Sequence, residues 1–256
     1  MQVKKLVRSA QSMFPVLKPV KDSFYRVSRR FLRRPHDKDF RALALLPDSD
    51  LDWVDVGANQ GQSIESIRVM KPRARVIAFE PNVLLAGKLA RRYRRDSSIV
   101  VRAAGLATAT GTFPLFTPIY RGFVYDGLAS MDRDHATSWL GPRTLYLFDP
   151  AKLRVHEQSC PVSTLDLENL HPVFVKIDVQ GLELQVVKGG IGTIDRYKPA
   201  LLIEKSSHDG EIDALLGPLG YRSYYFDGLG FQEGRGGSAN RFLLTARHLL
   251  ADALGD

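Results

Sequence analysis

The feature that most constrains the fold of this chain is a repeated alternation of short apolar runs with segments of helical spacing. The apolar runs have the length and composition of strands, and they occupy residues 51–56, 75–80, 98–103, 173–179, 199–205, 221–226 and 241–246. The first five are apolar on both faces, which is typical of parallel strands covered by helices on each side. The intervening segments, such as 61–71 and 82–93, space their apolar residues as a helix does. The alternation predicts a doubly wound α/β sheet.

Two parts of the chain depart from this alternation. Residues 105–172 contain short β-like runs and several turn residues, and we expect an elaborated connection there, with a separate domain as the less favoured alternative. Residues 1–41 contain twelve Lys and Arg against three Asp, a net charge of +9. Because the whole chain carries +8, the remaining residues sum to about −1. We therefore predict a basic amphipathic helical arm at 1–41 and one domain at 42–256.

The basic arm has two interpretations. Its helices either cap the domain and leave their charges in solvent, or present basic and apolar faces to an anionic membrane surface. No recognition-helix or RNA-module motif accompanies the charge, so no nucleic-acid partner is expected. The sequence has no secretory signal and a single cysteine, Cys160, which is typical of a reducing compartment. We expect a cytoplasmic protein, either free or peripheral to the inner face of the membrane.

The segment DVGANQG, residues 55–61, directly follows the first predicted strand. Open α/β sheets bind their ligands at such carboxyl ends of strands, and Gly57 and Gly61 let the backbone approach a ligand closely. Asp55 would repel a pyrophosphate and suits a cationic ligand. Glu80 ends the next strand, where its carboxylate can accept hydrogen bonds from both hydroxyls of a ribose. S-adenosyl-L-methionine, which has an ammonium, a sulfonium and a ribose, fits these residues.

Five motifs resemble, in order and spacing, the FkbM-type S-adenosylmethionine-dependent methyltransferases: VDVGANQGQS, VIAFEPN, STLDLENL, VKIDVQGLELQVVKGG and LLIEKS. The resemblance covers about residues 50–246 and implies a seven-stranded, Rossmann-like sheet whose last strand is antiparallel. It also implies O-methylation of a hydroxyl on a sugar, glycolipid or polyketide-type metabolite, with S-adenosyl-L-methionine as the cofactor. The predicted cofactor-binding residues are Asp55, Gly57, Asn59, Gly61, Ser63, Glu80, Pro81, Asn82 and Ala103.

Methyl transfer to a hydroxyl needs a group that takes the hydroxyl proton. Asp178 and Glu204 end two predicted strands on the methyl side of the cofactor, and His208 follows shortly after. These three are the candidate bases, with Asp178 first, and a reaction without a dedicated base remains open. The same three side chains could hold a divalent metal that lowers the pKa of the hydroxyl, but their scattered spacing is a weak indication, so no metal is predicted.

Gln180 and Phe231 are the predicted acceptor-binding residues. Many members of the resembled family have Glu where Gln180 stands, and Gln180 is therefore not among the candidate bases. Phe231 lies in the glycine-rich segment 227–240, which we interpret as a mobile lid whose aromatic ring stacks on a sugar, with an ordinary hairpin loop as the alternative. The rival functions are a nucleic-acid methyltransferase and a non-catalytic membrane-surface or scaffold protein, whereas Asp55 opposes a nicotinamide-dependent oxidoreductase.

Overall fold

A computed structural model describes residues 34–250, which form two β-sheets and the helices around them. The strands are β1 (Asp52–Val56), β2 (Arg75–Phe79), β3 (Ile99–Arg102), β4 (Gly105–Leu106), β5 (Gly111–Tyr120), β6 (Phe123–Val124), β7 (Leu153–Ser163), β8 (Pro172–Ile177), β9 (Ala200–Glu204), β10 (Arg222–Phe226), β11 (Phe231–Glu233) and β12 (Asn240–Leu244). The α-helices are α1 (Gln62–Met70), α2 (Val83–Tyr93), α3 (Arg133–Ser138), α4 (Glu183–Lys188), α5 (Ile191–Tyr197), α6 (Asp209–Leu216) and α7 (Ala246–Leu250). Short 3-10 helices occupy Lys38–Leu45, Asp126–Leu128, Pro150–Lys152, Leu165–Glu168 and Gly217–Leu219.

The main sheet has eight strands in the order β11-β10-β12-β9-β8-β1-β2-β3. Strands β3, β2, β1, β8 and β9 run parallel, and β12 is antiparallel to both of its neighbours, β9 and β10. Each of the seven predicted strand segments overlaps a strand of this sheet, although β8 and β12 begin one residue earlier than predicted. The eighth strand, β11, was not expected. It forms because Asp227 accepts hydrogen bonds from the N–H groups of Leu229 and Gly230, which turns the chain back against β10.

Helices cover the main sheet on both faces because successive residues of its buried strands point to opposite sides. On one face, Trp53 belongs to a core cluster with residues of α1 and α2 and of the 3-10 helix Lys38–Leu45. On the other face, Val54 belongs to a cluster with residues of α4, α5 and α6. Residues 38–41 of the predicted arm thus belong to a helix that packs on the core, and residues 1–33 lie outside the described residues.

The second sheet is built from residues 105–163, with strand order β4-β7-β5-β6. Its centre is the long antiparallel pair of β5 and β7, which stays in register from Gly111 opposite Val162 to Tyr120 opposite Leu153. It lies within the segment expected to elaborate a connection, between β3 and β8. The insertion also packs closely on the main domain. Gly189, directly after α4, lies so near the insertion that a Cβ at this position would be 1.9 Å from the carbonyl oxygen of Ala107. In the described part of the chain, no helix has the length and apolar character needed to span a membrane.

Candidate active site

A cleft opens at the carboxyl ends of β1, β2 and β8, between the main sheet and the inserted sheet. It encloses about 760 Å³ of empty space when its open mouth is counted. One wall comes from the loops that follow β1, β2 and β8, together with Gly105 and Leu106 beyond β3. The opposite wall comes from the insertion, chiefly Leu115 and residues 126–131.

The two glycines of the loop after β1 are required by packing within the chain. Gly57 lines the cleft, but its φ of +83° and its position against β8 leave no room for a side chain, because a Cβ would lie 1.9 Å from the main-chain oxygen of Asp178. Gly61 has a φ of +85°, and a Cβ there would lie 2.8 Å from Leu89 of α2. Gly61 does not line the cleft. Packing within the chain thus requires both glycines, and the expected reason for them, close approach to a ligand, applies at most to Gly57.

Glu80 is buried at the end of β2 and lines the cleft beside Pro81. Its carboxylate accepts hydrogen bonds from the N–H groups of Asn59, at 2.6 Å, and Asn82, at 2.8 Å. Burial raises the pKa of Glu80 to about 7, although both of these hydrogen bonds act to lower it. Each carboxylate oxygen has a further lone pair, so Glu80 can still accept hydrogen bonds from a ligand.

Asn59 lines the cleft next to Glu80 and offers a second acceptor. Its backbone is left-handed, with a φ of +48°, a conformation that Asn tolerates better than most residues. The side-chain oxygen Oδ1 is buried and has no hydrogen-bond partner within residues 34–250. Since buried polar atoms are nearly always paired, an orphaned acceptor in a cleft wall is suited to a donor on a ligand.

Four other predicted cofactor residues do not line the cleft. Asp55 and Ser63 are buried beneath the glycine loop, where the Ser63 hydroxyl donates to the Asp55 carboxyl group. Asn82 caps α2, since its side-chain oxygen accepts from the N–H groups at positions 84 and 85. Ala103 is exposed. Gly105, two residues further along the chain, lines the cleft instead, because β3 already ends at Arg102 and the chain continues into β4.

Lys176 of β8 explains why Asp55 does not require a cationic ligand. The two residues are register partners on adjacent strands, and Lys176 Nζ lies 3.2 Å from Asp55 Oδ1 and 3.6 Å from Asp178 Oδ2. Nζ also donates to the carbonyl oxygen of Gly57 at 2.9 Å. Burial acts to lower the pKa of Lys176, but Asp55 and Asp178 together raise it above its ordinary value. This buried cation therefore fixes the loop after β1 and stands next to the first candidate base.

The structure brings together two of the three candidate bases, Asp178 and Glu204. The side-chain amide of Gln180 donates to both, with Nε2 at 3.1 Å from Asp178 Oδ1 and 3.1 Å from Glu204 Oε2. The two carboxyl groups are close enough that each shifts the pKa of the other. Asp178 and Gln180 line the cleft and Glu204 does not. His208 is not brought to the cleft: it precedes α6, and its exposed side chain directs Nδ1 at Oε1 of Glu211, at 2.8 Å.

The pKa values of this acid pair are shifted in opposite directions. Burial, and then the charge of Asp178, raise the pKa of Glu204 to about 8. Burial acts in the same direction on Asp178, but the charge of Lys176 and hydrogen bonds from Glu204 and Gln180 outweigh it and hold the pKa of Asp178 below its usual value. Because the two groups interact, the pair as a whole carries one proton near neutral pH, and the opposite directions of the two shifts favour Glu204 as its position and a carboxylate at Asp178.

The loop that carries Gln180 is held in an uncommon backbone conformation. Gln180 has a φ of +55° and Gly181 a φ of +100°, and such a conformation is costly for a residue with a side chain. Glu183, which is buried, stabilises the loop by accepting from the N–H groups of Val179, at 3.2 Å, and Gly181, at 3.1 Å. This conformation places the Gln180 amide between the two acids, whereas the sequence predicted only an acceptor contact for it.

The structure does not bring Phe231 to the cleft, so the expectation of a lid carrying this ring is corrected. Phe231 begins β11 and packs edge-on against Phe242, with ring centroids 5.0 Å apart. The following turn is held by Lys205, whose ammonium donates to the carbonyl oxygens of Gly236 and Ser238 at 2.9 and 2.7 Å. The glycines of this segment therefore serve a defined hairpin at the edge of the main sheet.

Sequence reasoning missed the wall that the insertion contributes. Leu115, Ser130 and Met131 line the cleft, and Gln60 Nε2, in the loop after β1, donates to Asp126 Oδ2 of the insertion at 3.3 Å. No motif marks these residues, because a β-rich insertion does not reveal which of its turns faces the main sheet. Within residues 34–250, no three His, Cys, Asp or Glu side chains are grouped so as to hold a metal ion.

One comparison with known proteins identifies the family of this chain. Residues 55–223, more than half of the chain, match the family model of the methyltransferase FkbM domain. No curated protein matches the chain.

Among solved structures, the chain is similar to a methyltransferase FkbM from Methylobacillus flagellatus, with 20% identity, a TM-score of 0.49, and coverage of 80% of this chain and 47% of that one. It is also similar to a SAM-dependent O-methyltransferase from Thermotoga maritima, with 10% identity, a TM-score of 0.38, and coverage of 84% and 66%. A precorrin-6y C5,15-methyltransferase from Geobacter metallireducens shows 14% identity, a TM-score of 0.36, and coverage of 80% and 84%. The chain thus spans about half the length of the first of these structures.

Proposed function

Because the chain belongs to the FkbM methyltransferase family, we propose that it transfers the methyl group of S-adenosyl-L-methionine to a hydroxyl oxygen of a sugar, glycolipid or polyketide-type metabolite. The observation that carries this proposal is that one cleft contains both Glu80, a buried hydrogen-bond acceptor, and Asp178, a carboxylate paired with a second acid. A methyl donor with a ribose needs the first, and a hydroxyl acceptor that must lose a proton needs the second.

The residues of the cleft fit S-adenosyl-L-methionine. Glu80 would accept hydrogen bonds from the ribose hydroxyls, and the orphaned Oδ1 of Asn59 would accept from a further donor such as the ammonium group. Leu106, Leu115 and Met131 give the cleft an apolar wall suited to the adenine ring. When bound, the cofactor supplies a methyl group on a positively charged sulfur.

Asp178 is the residue to which we assign the acceptor proton. Of the three candidate bases, it is the one that lines the cleft. Gln180 and Lys176 hold its carboxylate from two sides, which fixes the direction from which a hydroxyl can approach. An in-line displacement depends on such alignment of the reacting atoms.

We also propose that residues 1–41 attract the enzyme to an anionic membrane surface, so that it works in the cytoplasm at the inner face of the membrane. The support is the net charge of +9 in this segment, interleaved with apolar residues. A membrane-bound position would suit a glycolipid acceptor.

Two measurements test the proposed function. Calorimetry with S-adenosyl-L-methionine should show one binding site per chain. Extracts of cells that lack the protein should contain, by mass spectrometry, a molecule lighter by one methyl group than its counterpart in wild-type cells.

An RNA acceptor is the outcome that would contradict the proposed substrate class. It is distinguished by incubating the protein and methyl-labelled cofactor with an RNA fraction and, separately, with a lipid and glycan extract. Label that enters only the RNA would refute the proposal, as would the absence of cofactor binding.

A further inference from the structure

The acid pair is arranged so that one member faces the cleft and the other stands behind it. Asp178 lines the cleft and its side chain is 39% exposed, whereas Glu204, at the end of β9, does not line it. The amide of Gln180 lies at 3.1 Å from both carboxyl groups. A proton accepted by Asp178 therefore has an adjacent carboxyl group to which it can pass without crossing solvent.

The charges around Glu204 favour a proton at that position. Asp178 and Glu183 both act on it as negative neighbours, and Lys176 is the cation that opposes them. Lys176 is already shared with Asp55 and Asp178. From β12, the register partner of Glu204 is the uncharged Asn240.

Lys205, next in the chain, does not compensate the negative charge. Its ammonium donates to carbonyl oxygens of the turn at residues 235–238. A single buried ammonium thus serves several carboxyl groups, and a bound proton supplies the remaining positive charge.

We propose that Asp178 and Glu204 act as one base, in which Asp178 takes the proton of the acceptor hydroxyl and Glu204 holds it. This inference rests on the proposed function. As the acceptor oxygen forms its bond to the methyl carbon, the carbon–sulfur bond breaks and its electron pair stays on sulfur. The O–H proton goes to Asp178, passes to Glu204, and leaves to solvent before the next turnover.

This assignment makes Glu204 the group that sets the pH dependence of the reaction. The pKa of Glu204, raised to about 8 by burial and by Asp178, means that below this pH Glu204 already holds a proton. Asp178 is then a weak base, because its own pKa lies below the usual value. Above about pH 8 both groups are ionised, and the pair can take up a proton with an affinity suited to general-base catalysis.

The coupling is tested without an acceptor by carbon NMR of the full chain labelled with carboxyl-13C glutamate. We expect one glutamate resonance to titrate near pH 8 and to be absent from Glu204→Gln, and Glu80→Gln identifies the resonance that titrates near pH 7. Asp178→Asn should lower the Glu204 midpoint by more than one pH unit, since it removes a negative neighbour. If no glutamate of the wild-type protein other than Glu80 titrates between pH 7 and 9, or if Asp178→Asn leaves the midpoint unchanged, the pair is not coupled and the inference is overturned.

The catalytic role is tested by the pH profile of label transfer from S-adenosyl-L-methionine to the lipid and glycan extract. With saturating cofactor, the wild-type rate should rise about tenfold per pH unit up to the midpoint of the pair, which the bound sulfonium lowers from the ligand-free value of about 8, and should then level off. Under the same conditions Glu204→Gln should give a flat profile and a plateau lower by about 10- to 100-fold. Glu211→Gln, a change of an exposed glutamate on α6, is the matched control and should keep the wild-type profile. If Glu204→Gln keeps that profile while transferring label, Glu204 does not hold the proton, although the proposed function stands. If the wild-type protein neither binds the cofactor nor transfers label, the proposed function fails, whereas the titration still shows whether the two acids are coupled.

Discussion

The protonation state of Glu80 should control cofactor affinity between about pH 6 and pH 8. Burial raises its pKa to about 7 in the ligand-free protein, and in our proposal the ribose hydroxyls donate to the ionised form. Below pH 7 most molecules carry a proton on Glu80, which must leave before the ribose can bind. The affinity should therefore fall as the pH falls. About one-tenth of the molecules are ionised at pH 6 and about nine-tenths at pH 8, so the dissociation constant should be about tenfold larger at pH 6.

The assay is isothermal calorimetry with S-adenosylhomocysteine, which has the same ribose and is not consumed. Glu80→Gln should weaken binding by about 1.5–3 kcal/mol, or roughly 10- to 150-fold, and should abolish the pH dependence. Because Glu80 also accepts from the N–H groups of Asn59 and Asn82, this variant should also unfold at a lower temperature. Affinity is therefore measured well below the melting temperature of the variant.

A change that removes a different titrating carboxyl group provides the control. Glu204→Gln should keep the tenfold change in affinity, because Glu204 does not line the cleft. A wild-type dissociation constant that is the same at pH 6 and pH 8 would refute the assignment of Glu80 to the ribose. The same conclusion would follow if Glu80→Gln bound the ligand as tightly as the wild type does.

Four further predictions concern other parts of the molecule. Gly57→Val should destabilise the fold by more than about 3 kcal/mol, because its Cβ would collide with the Asp178 carbonyl, and the melting temperature should fall accordingly. Gly87→Ala, whose Cβ meets open space, is the control and should not lower the melting temperature. Asp178→Asn should lower kcat by about 10²- to 10⁴-fold and keep cofactor affinity, and wild-type turnover would rule out Asp178 as the base. Phe231→Ala should lower the melting temperature and leave the acceptor KM unchanged, since the ring packs on Phe242; a raised KM would restore the acceptor-binding hypothesis. Deletion of residues 1–34 should abolish sedimentation with phosphatidylserine vesicles and keep cofactor affinity, whereas a lower melting temperature without lipid binding in either form would support a cap.

The main sheet was predictable because its signal is local. Each buried parallel strand is an apolar run bounded by turn residues, so the run at 75–80 predicted β2 at Arg75–Phe79 to within one residue. The insertion carries no such signal, because its strands are only partly covered: along β5, residues 111–114 are exposed and burial begins at Leu115. The sequence of such a strand does not show which element covers its buried part. The sequence therefore could not predict which residues of the insertion form a wall of the cleft.

The residues of the candidate site are likewise of two kinds: those that a local sequence signal predicts, and those that depend on contacts between distant segments. Asp178 and Glu80 could be found from the sequence, because each lies at or directly after the carboxyl end of a recognisable strand. The role of Asp55 could not, since its partner Lys176 is 121 residues away and becomes a neighbour only through the register of β1 with β8. Pairing across strands neutralised the charge that had indicated a cationic ligand. Glu204, and not His208, lies beside Asp178. This arrangement depends on the conformation of the Gln180 loop, which no local pattern predicts.

The buried charges also explain why the acid pair would bind the proton that the acceptor hydroxyl releases. The cleft and the layer beneath it hold the acids Asp55, Glu80, Asp178 and Glu204 around the ammonium of Lys176. In the proposed reaction a positive charge enters the cleft with the methyl donor and is lost from it on transfer. A nearby positive charge lowers the pKa of a carboxyl group, and its removal raises that pKa again. The proton affinity of the acid pair therefore rises at the step in which the acceptor hydroxyl gives up its proton, which favours transfer of that proton to Asp178 and Glu204 over its return to the product.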